Sequence, residues 1–546
     1  VSLGNEKRRD RLVALLLFVL SAVAYYMAPV EQLFDYRYIG VVSDSLLTRG
    51  TLALPEGFAD QRDPYQLEYQ GGRLYHHFPN APAVLNVPFA LAFRLLGHPI
   101  VEADGTYRRE NEVLMLRTSA ATTTAATVVL AFLVARLFAG TAWSLAIAIT
   151  FGFGTQLLSI ASRPYWSHAW GILLLTTALW LALSRAGRRP ATWILVATLL
   201  SWAVFCRPPF AFSVAALGLW LLARRRFDAL AVYVASGLAW LALFLLYSHI
   251  VYDQALPPYF YSAQASSGRW NLHHLLRIPG RAAWGTLASP GRGLFLFTPF
   301  LLAIPAAVAW HWRRLPDRLL AGLGLAVIVA NWVLVSSFRN WWGGGGFGPR
   351  LLTDTLPWWL LLAALAAAAW ERAPATGTTL RRLAVAAVGL LALVSIAIHA
   401  RGAYCQATKD WGAISWAPPS TRHQIFDQER LWNWRYPQFL AGLVAAPAPH
   451  FTSAACRGRE RLEVVSCGPP FRIRVGGPPG GAFSVRPNTG RVRRGRFDRE
   501  GKSLVRIAHR AFPVGQVGAV WSCGSVQTID YACEALATAP EASPGE

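Results

Sequence analysis

Leu12-Val13-Ala14-Leu15-Leu16-Leu17-Phe18-Val19-Leu20-Ser21-Ala22-Val23-Ala24-Tyr25-Tyr26-Met27-Ala28-Pro29-Val30 directly follows Glu6-Lys7-Arg8-Arg9-Asp10-Arg11 and sets the class of the chain. The run carries no charge over about the ~20 residues that cross a hydrocarbon core, so it predicts a spanning helix with a basic flank. No small-residue cleavage site follows it, which predicts an anchor and not a signal peptide. Comparable runs lie near 113–137, 141–161, 167–184, 191–206, 209–223, 229–248, 293–311, 319–337, 354–370 and 383–400. Two of these are short and meet at Arg207-Pro208-Pro209, which predicts a hairpin that only partly crosses. Eleven spans in all predict an all-α polytopic membrane domain, because backbone in lipid must satisfy its own hydrogen bonds. The composition agrees, with 54% hydrophobic and only 15% charged residues among 546.

Basic clusters occupy every second junction: Arg136, Arg185 to Arg189, Arg224-Arg225-Arg226, His311-Trp312-Arg313-Arg314 and Arg381-Arg382. Lys and Arg collect on the cytoplasmic side, so the N-terminus is expected inside and the C-terminal region outside a cell inner membrane. The large loops, about 31–112, 248–292 and 338–353 with the tail from 401, then share the outer face. Pro82 to Gly97 is apolar but short and predicts a helix lying at the interface. Counted as a span, it would put every arginine cluster outside. Much of the formal charge of +23 orients the spans, so a nucleic-acid partner is not expected, while outer cations suit lipid phosphate or an anionic polymer.

Residues 401–450, rich in Trp and Pro, read as a connector. From Arg461, Gly and Pro turns separate alternating stretches such as Phe471 to Val475, Ala482 to Val485 and Leu504 to Ile507, which predict a small β-rich domain over 451–546. Cys456, Cys467, Cys523 and Cys533 fall there, and in an exported segment they predict two disulfides. Short spacing favours Cys456 with Cys467 and Cys523 with Cys533, although three pairings exist. Arg491, Arg493, Arg494 and Arg496 read as a solvated face or as a guide for a glycan acceptor. The last ten or so residues read as disordered.

Asp35, in Phe34-Asp35-Tyr36-Arg37-Tyr38, stands where the first span surfaces. A carboxylate at the mouth of a membrane domain can take a proton from a hydroxyl while a lipid-borne partner stays in the bilayer. There is no P-loop, no dinucleotide fingerprint and no Gly-x-Ser-x-Gly elbow. No nucleotide cofactor is therefore expected, and a donor already in the membrane is.

Four stretches carry a family resemblance: Asp35 through Gly50; Tyr75-His76-His77-Phe78-Pro79; Phe153-Gly154-Thr155 through Ser162-Arg163-Pro164-Tyr165-Trp166-Ser167-His168; and Trp341-Trp342-Gly343-Gly344-Gly345-Gly346-Phe347-Gly348-Pro349-Arg350-Leu351-Leu352, with Pro357 beyond. Their order over residues 10–400 resembles the glycosyltransferase C superfamily, which includes protein O-mannosyltransferases and the lipid A aminoarabinose transferases. Residues 1–400 are then expected to form a transmembrane catalytic domain of that kind. Tyr36 stands where the family carries a glutamate, and the tail resembles nothing assignable.

The resemblance implies an inverting transferase that moves a sugar from a polyprenyl-phosphate donor to a glycan, lipid or protein acceptor. Asp35 is the expected general base and Asp44 its rival. Arg350, Arg292 and Arg163 are candidates for the donor phosphate, because a guanidinium fork matches phosphate oxygens. Tyr38, Trp341, Trp342 and Gly345 are candidate substrate contacts. His76 and His77 are candidate ligands of a divalent metal ion, and since neighbours on a strand face opposite ways only one would reach it. Plainer roles compete throughout: capping for Asp35, snorkelling for each arginine, interfacial anchoring for each tryptophan. A flippase of lipid-linked sugars is the alternative function, but it would call for repeats and charges at the midplane, and no repeat is visible.

Overall fold

The computed structural model describes residues 2–32, 35–55, 58, 66–260, 280–338, 340–374, 378–413 and 428–444, together with eight short strands in the tail. The chain divides into two compact units. The first comprises Val1–Ala288, Gly293–Gly343 and Gly348–Tyr404; the second comprises Ser289–Arg292, Gly344–Phe347 and Cys405–Glu546.

The first unit is helical. Six helices are long and apolar enough to cross a bilayer: Glu6–Met27, Arg109–Arg136, Phe227–Tyr252, Arg318–Ser337, Arg350–Glu371 and Thr379–Tyr404. Only 11% of the apolar windows of Phe227–Tyr252 and Thr379–Tyr404 is buried within the protein. Unbroken apolar helix faces of this kind need lipid to cover them.

The other five expected spans are shorter apolar helices of 10–17 residues: Thr141–Phe153, His168–Leu183, Thr192–Cys206, Pro208–Ala223 and Pro299–Trp310. By length, then, the structure supports six spans where the sequence suggested eleven. The reasons are local. The helix from Thr141 ends at Phe153 and is followed by a π-helical turn at Leu157–Ala161. Pro208 and Pro299 each open a fresh 3-10 turn because proline lacks the N–H that would continue a helix.

Ion pairs fix the chain direction. In α1 (Ser2–Met27) and α4 (Arg109–Arg136), Asp10 Oδ2 meets Arg136 Nε at 3.0 Å, and Glu31, just past α1, meets Arg117 Nη2 at 2.7 Å. The two helices are therefore antiparallel. Between them lie α2 (Ile39–Arg49), a hairpin of β1 (Leu67–Gln70) and β2 (Arg73–His76), and α3 (Ala81–Leu95). Glu112 of α4 is buried and accepts from the Gly40 N–H at 3.0 Å and from the Tyr107 hydroxyl at 2.5 Å. An acid at the start of α2 complements the positive end of that helix and ties it to α4. Around it Tyr36, Tyr38, Ile39, Val42, Met115 and Tyr165 form a core separate from that of the helical bundle.

In the second unit, strands β3 (Thr452–Ala455) to β10 (Thr528–Ala532) pair as two four-stranded antiparallel sheets, ordered β3-β10-β5-β8 and β4-β9-β6-β7. Here β4 is Arg461–Val465, β5 Phe471–Gly476, β6 Ala482–Pro487, β7 Arg493–Arg496, β8 Lys502–Ile507 and β9 Val517–Ser522. Phe471 pairs with Ile507, and Val485 with Trp521. The four tail cysteines, and with them the expected disulfides, lie outside the described residues, as does Arg491.

Candidate active site

Asp35 lies just before α2, and its Oδ2 accepts a hydrogen bond from Arg350 Nη1 at 2.9 Å. The two residues are 315 positions apart. Arg350 opens a 3-10 helix, Arg350–Thr355, that leads into Leu356–Glu371. Its guanidinium carbon stands 4.0 Å over the Trp166 ring, and its Nε donates to the Gly343 carbonyl. Gly343 has a φ of +69°, and a Cβ there would meet Leu351 and Arg350, so glycine is what lets the arginine lie across this turn. The carboxylate and guanidinium remain 21% and 12% exposed, enough for a substrate to reach them.

Four residues on, Asp354 belongs to the same 3-10 turn and has different partners. It is 1% exposed and accepts from His168 Nδ1 at 2.8 Å and from Arg207 Nε at 2.7 Å. Arg207 Nη1 reaches Ser167 Oγ at 3.3 Å, and Tyr36 in turn hydrogen-bonds Ser167. The Asp35-Tyr36 pair is thus held on one side by Arg350 and on the other through Ser167.

Beside this cluster lies a cavity of about 360 Å³ with apolar walls, lined among others by Trp202, Phe205, Trp240, Phe244, Tyr252 and Tyr259. Phe205 and Phe244 stack at 4.5 Å and 7°. Tyr259 packs on His77 at 6.1 Å and on Phe78 at 5.8 Å. Burial raises its phenol above the ordinary value; Arg207 and Arg350 pull it back, and Asp35 and Asp354 push it up. One side chain therefore touches the cavity and senses all four charges.

The remaining sequence candidates are distributed as follows. Asp44 is buried and pairs with Arg94 of α3 at 3.1 Å, so the two rival acids belong to different ion pairs. Burial pushes its carboxyl up, against the pull of Arg94. Arg163 is fully buried and donates to the carbonyls of Tyr25 and Ala28 (2.7 Å for the latter), capping the end of α1. Tyr38 is 1% exposed and packs on Phe58 and Tyr107. Trp341 is buried against Gly285 of α10 (Gly280–Ala288), where a Cβ would lie 2.2 Å from its ring, and Trp342 sits edge-on to it at 5.9 Å. Arg292 and Gly345 belong to the second unit. There Arg292 is buried and donates to Gln438 Oε1 at 2.6 Å and to the Gly344 carbonyl at 2.7 Å.

His76 is buried with Nε2 3.2 Å from the Arg37 carbonyl and Nδ1 3.3 Å from that of Phe78, and burial lowers its pKa to about 4. His77 Nδ1 meets Glu68 Oε2. Among the described residues no three His, Cys, Asp or Glu side chains come together. Arg350 would also repel a dication from Asp35.

Asp354, Arg207, Glu68 and Tyr259 escaped the sequence reading. Asp354 was within reach, since it follows Arg350 in the same stretch. In the sequence Arg207 reads only as a junction between two apolar runs.

No family model matches the sequence, and no curated protein matches it. Solved structures do match, nine chains among them. ArnT from Cupriavidus metallidurans in the apo state is 14% identical at a TM-score of 0.43, over 75% of this chain and 69% of that one. The same protein bound to undecaprenyl phosphate is 14% identical at 0.40, over 74% and 69%. An oligosaccharyltransferase from Archaeoglobus fulgidus in the apo form is 14% identical at 0.40, over 78% of this chain and 60% of that one. Both proteins belong to the glycosyltransferase C superfamily. The likeness is distant.

Proposed function

We propose that this chain is an inverting membrane glycosyltransferase that takes a sugar from a polyprenyl-phosphate donor. The observation that carries the reading is the Asp35–Arg350 pair, whose neighbour Tyr36 packs on His76 and Phe78 in the wall of the apolar cavity. A base and a phosphate-binding cation are what such a transfer requires, and an apolar cleft suits an isoprenoid chain.

In the proposed reaction an acceptor hydroxyl attacks the anomeric carbon while Asp35 accepts its proton. The bond from that carbon to the phosphate oxygen breaks, and its electron pair leaves with the polyprenyl phosphate. One displacement inverts the centre. Arg350 stabilises the charge gathering on the departing phosphate with a fixed donor, which needs no reorganisation during the reaction. The acceptor is a glycan, lipid or protein on the outer face of an inner membrane. The N-terminus is then cytoplasmic and the second unit periplasmic or extracellular, as the arginine distribution favours.

The test is to reconstitute the purified protein with a panel of polyprenyl-phosphate sugars and a lipid and glycan acceptor set. Transfer by the wild type and its loss in Asp35→Asn are expected. A fully active Asp35→Asn protein would refute the assignment.

A further inference from the structure

We propose that Asp354 is the positioning residue that aims Arg350 at Asp35. The inference deepens the transferase reading and rests on it for its kinetic arm alone. Arg350 is the first and Asp354 the fifth of the six residues of one short 3-10 turn, Arg350–Thr355, so fixing Asp354 constrains the direction of Arg350. A 3-10 turn has poor hydrogen-bond geometry and holds its shape through what its side chains grip. Here the grip is strong. The Asp354 carboxylate is 1% exposed and is held from two separate helices, by His168 at the start of α6 (His168–Leu183) and by Arg207 at the end of α7 (Thr192–Cys206).

A buried carboxylate with a guanidinium and an imidazole donor has its lone pairs engaged, which is the condition under which a buried charge is tolerated. The nearby geometry is continuous with the site. Trp166, under the Arg350 guanidinium, and Ser167, holding Arg207 and Tyr36, immediately precede His168. The segment 166–168 therefore touches both Arg350 and Asp354. Asp354 itself is 1% exposed, and its oxygens are taken by His168 and Arg207. Its contribution is to direction.

Two variants test this, each with a structural and a kinetic readout. In a cryo-EM map of Asp354→Asn, the Arg350 guanidinium is expected to have left Asp35; finding the 2.9 Å contact intact in a folded protein overturns the proposal. Because that substitution strands Arg207 and can unfold the chain, His168→Leu, which removes one grip, is compared with His168→Asn, which keeps a donor near Nδ1. The Leu variant is expected to lose the contact and about 100-fold in kcat, the cost of a misplacement of about 1 Å, with KM little changed, and the Asn variant to stay near wild type. In an Arg350→Ala background, Asp354→Asn is expected to add nothing; an additive loss, or collapse of every variant, assigns Asp354 to the scaffold and overturns the proposal. If the wild type transfers no sugar, the proposed function fails, and the maps still decide whether Asp354 aims Arg350.

Discussion

Replacing Asp35 with Asn is expected to separate chemistry from stability. The substitution keeps the shape of the side chain and removes its ability to take a proton. General-base catalysis contributes about 10²–10⁴-fold, so kcat should fall by that factor, a barrier rise of about 3–5 kcal/mol. The stability cost is smaller. The Asp35–Arg350 contact is good at 2.9 Å, but its partners are 21% and 12% exposed, which places it between a surface pair and a buried one. A loss of about 1 kcal/mol follows, and a fall in Tm of only a few degrees. The assay is transfer of labelled sugar from a polyprenyl phosphate by protein in nanodiscs, with the melting curve measured on the same sample. An Asn variant within about threefold of wild type refutes the base assignment. A variant that loses activity only because it unfolds refutes the claim that the pair is functional.

Arg94→Ala should destabilise the fold by about 2 kcal/mol, because it strands the buried Asp44 carboxylate, yet leave transfer per folded molecule within about threefold; a collapse of kcat would return Asp44 to the site. His76 should make stability pH-dependent. Its folded pKa, near 4 against an ordinary 6.5, means that the unfolded chain binds more protons between those values, so its contribution of about 3 kcal/mol is present above pH 6.5 and lost as pH falls toward 4. Melting curves of wild type and His76→Gln at pH 7 and 4.5 check this, and equal losses in both would refute it. Phe244→Ala should raise KM about fivefold to tenfold for a long isoprenoid donor, about 1 kcal/mol of apolar contact, and less for a ten-carbon one; equal effects on both chain lengths would argue against a lipid tail in the cavity.

How much was legible in the chain differs by element. Long uncharged runs such as 12–30 announce helices in lipid because the cost of a bare peptide group there leaves no alternative. Asp35 stood out for the same reason, as an acid where such a run ends. Apolarity alone did not reveal where helices stop, so Thr141–Phe153 and Pro299–Trp310 came out shorter than the runs that hold them. The β1–β2 hairpin within the first large loop was not foreseen either.

The linear chain dictated membrane residence, the positions of most helices and an acid at one helix exit, because hydrophobic length and local charge are properties of neighbours in sequence. Pairing was decided by the folded state. Asp35 meets Arg350 across 315 positions, and His168, Arg207 and Asp354 come from three helices. Of three arginines equally suited to phosphate by type, the folded chain commits Arg163 to capping a helix and Arg292 to the second unit, and it turns Arg350 toward the acid. A guanidinium has the same chemistry at every position; what distinguishes one from another is which oxygens the fold brings within 3 Å of it.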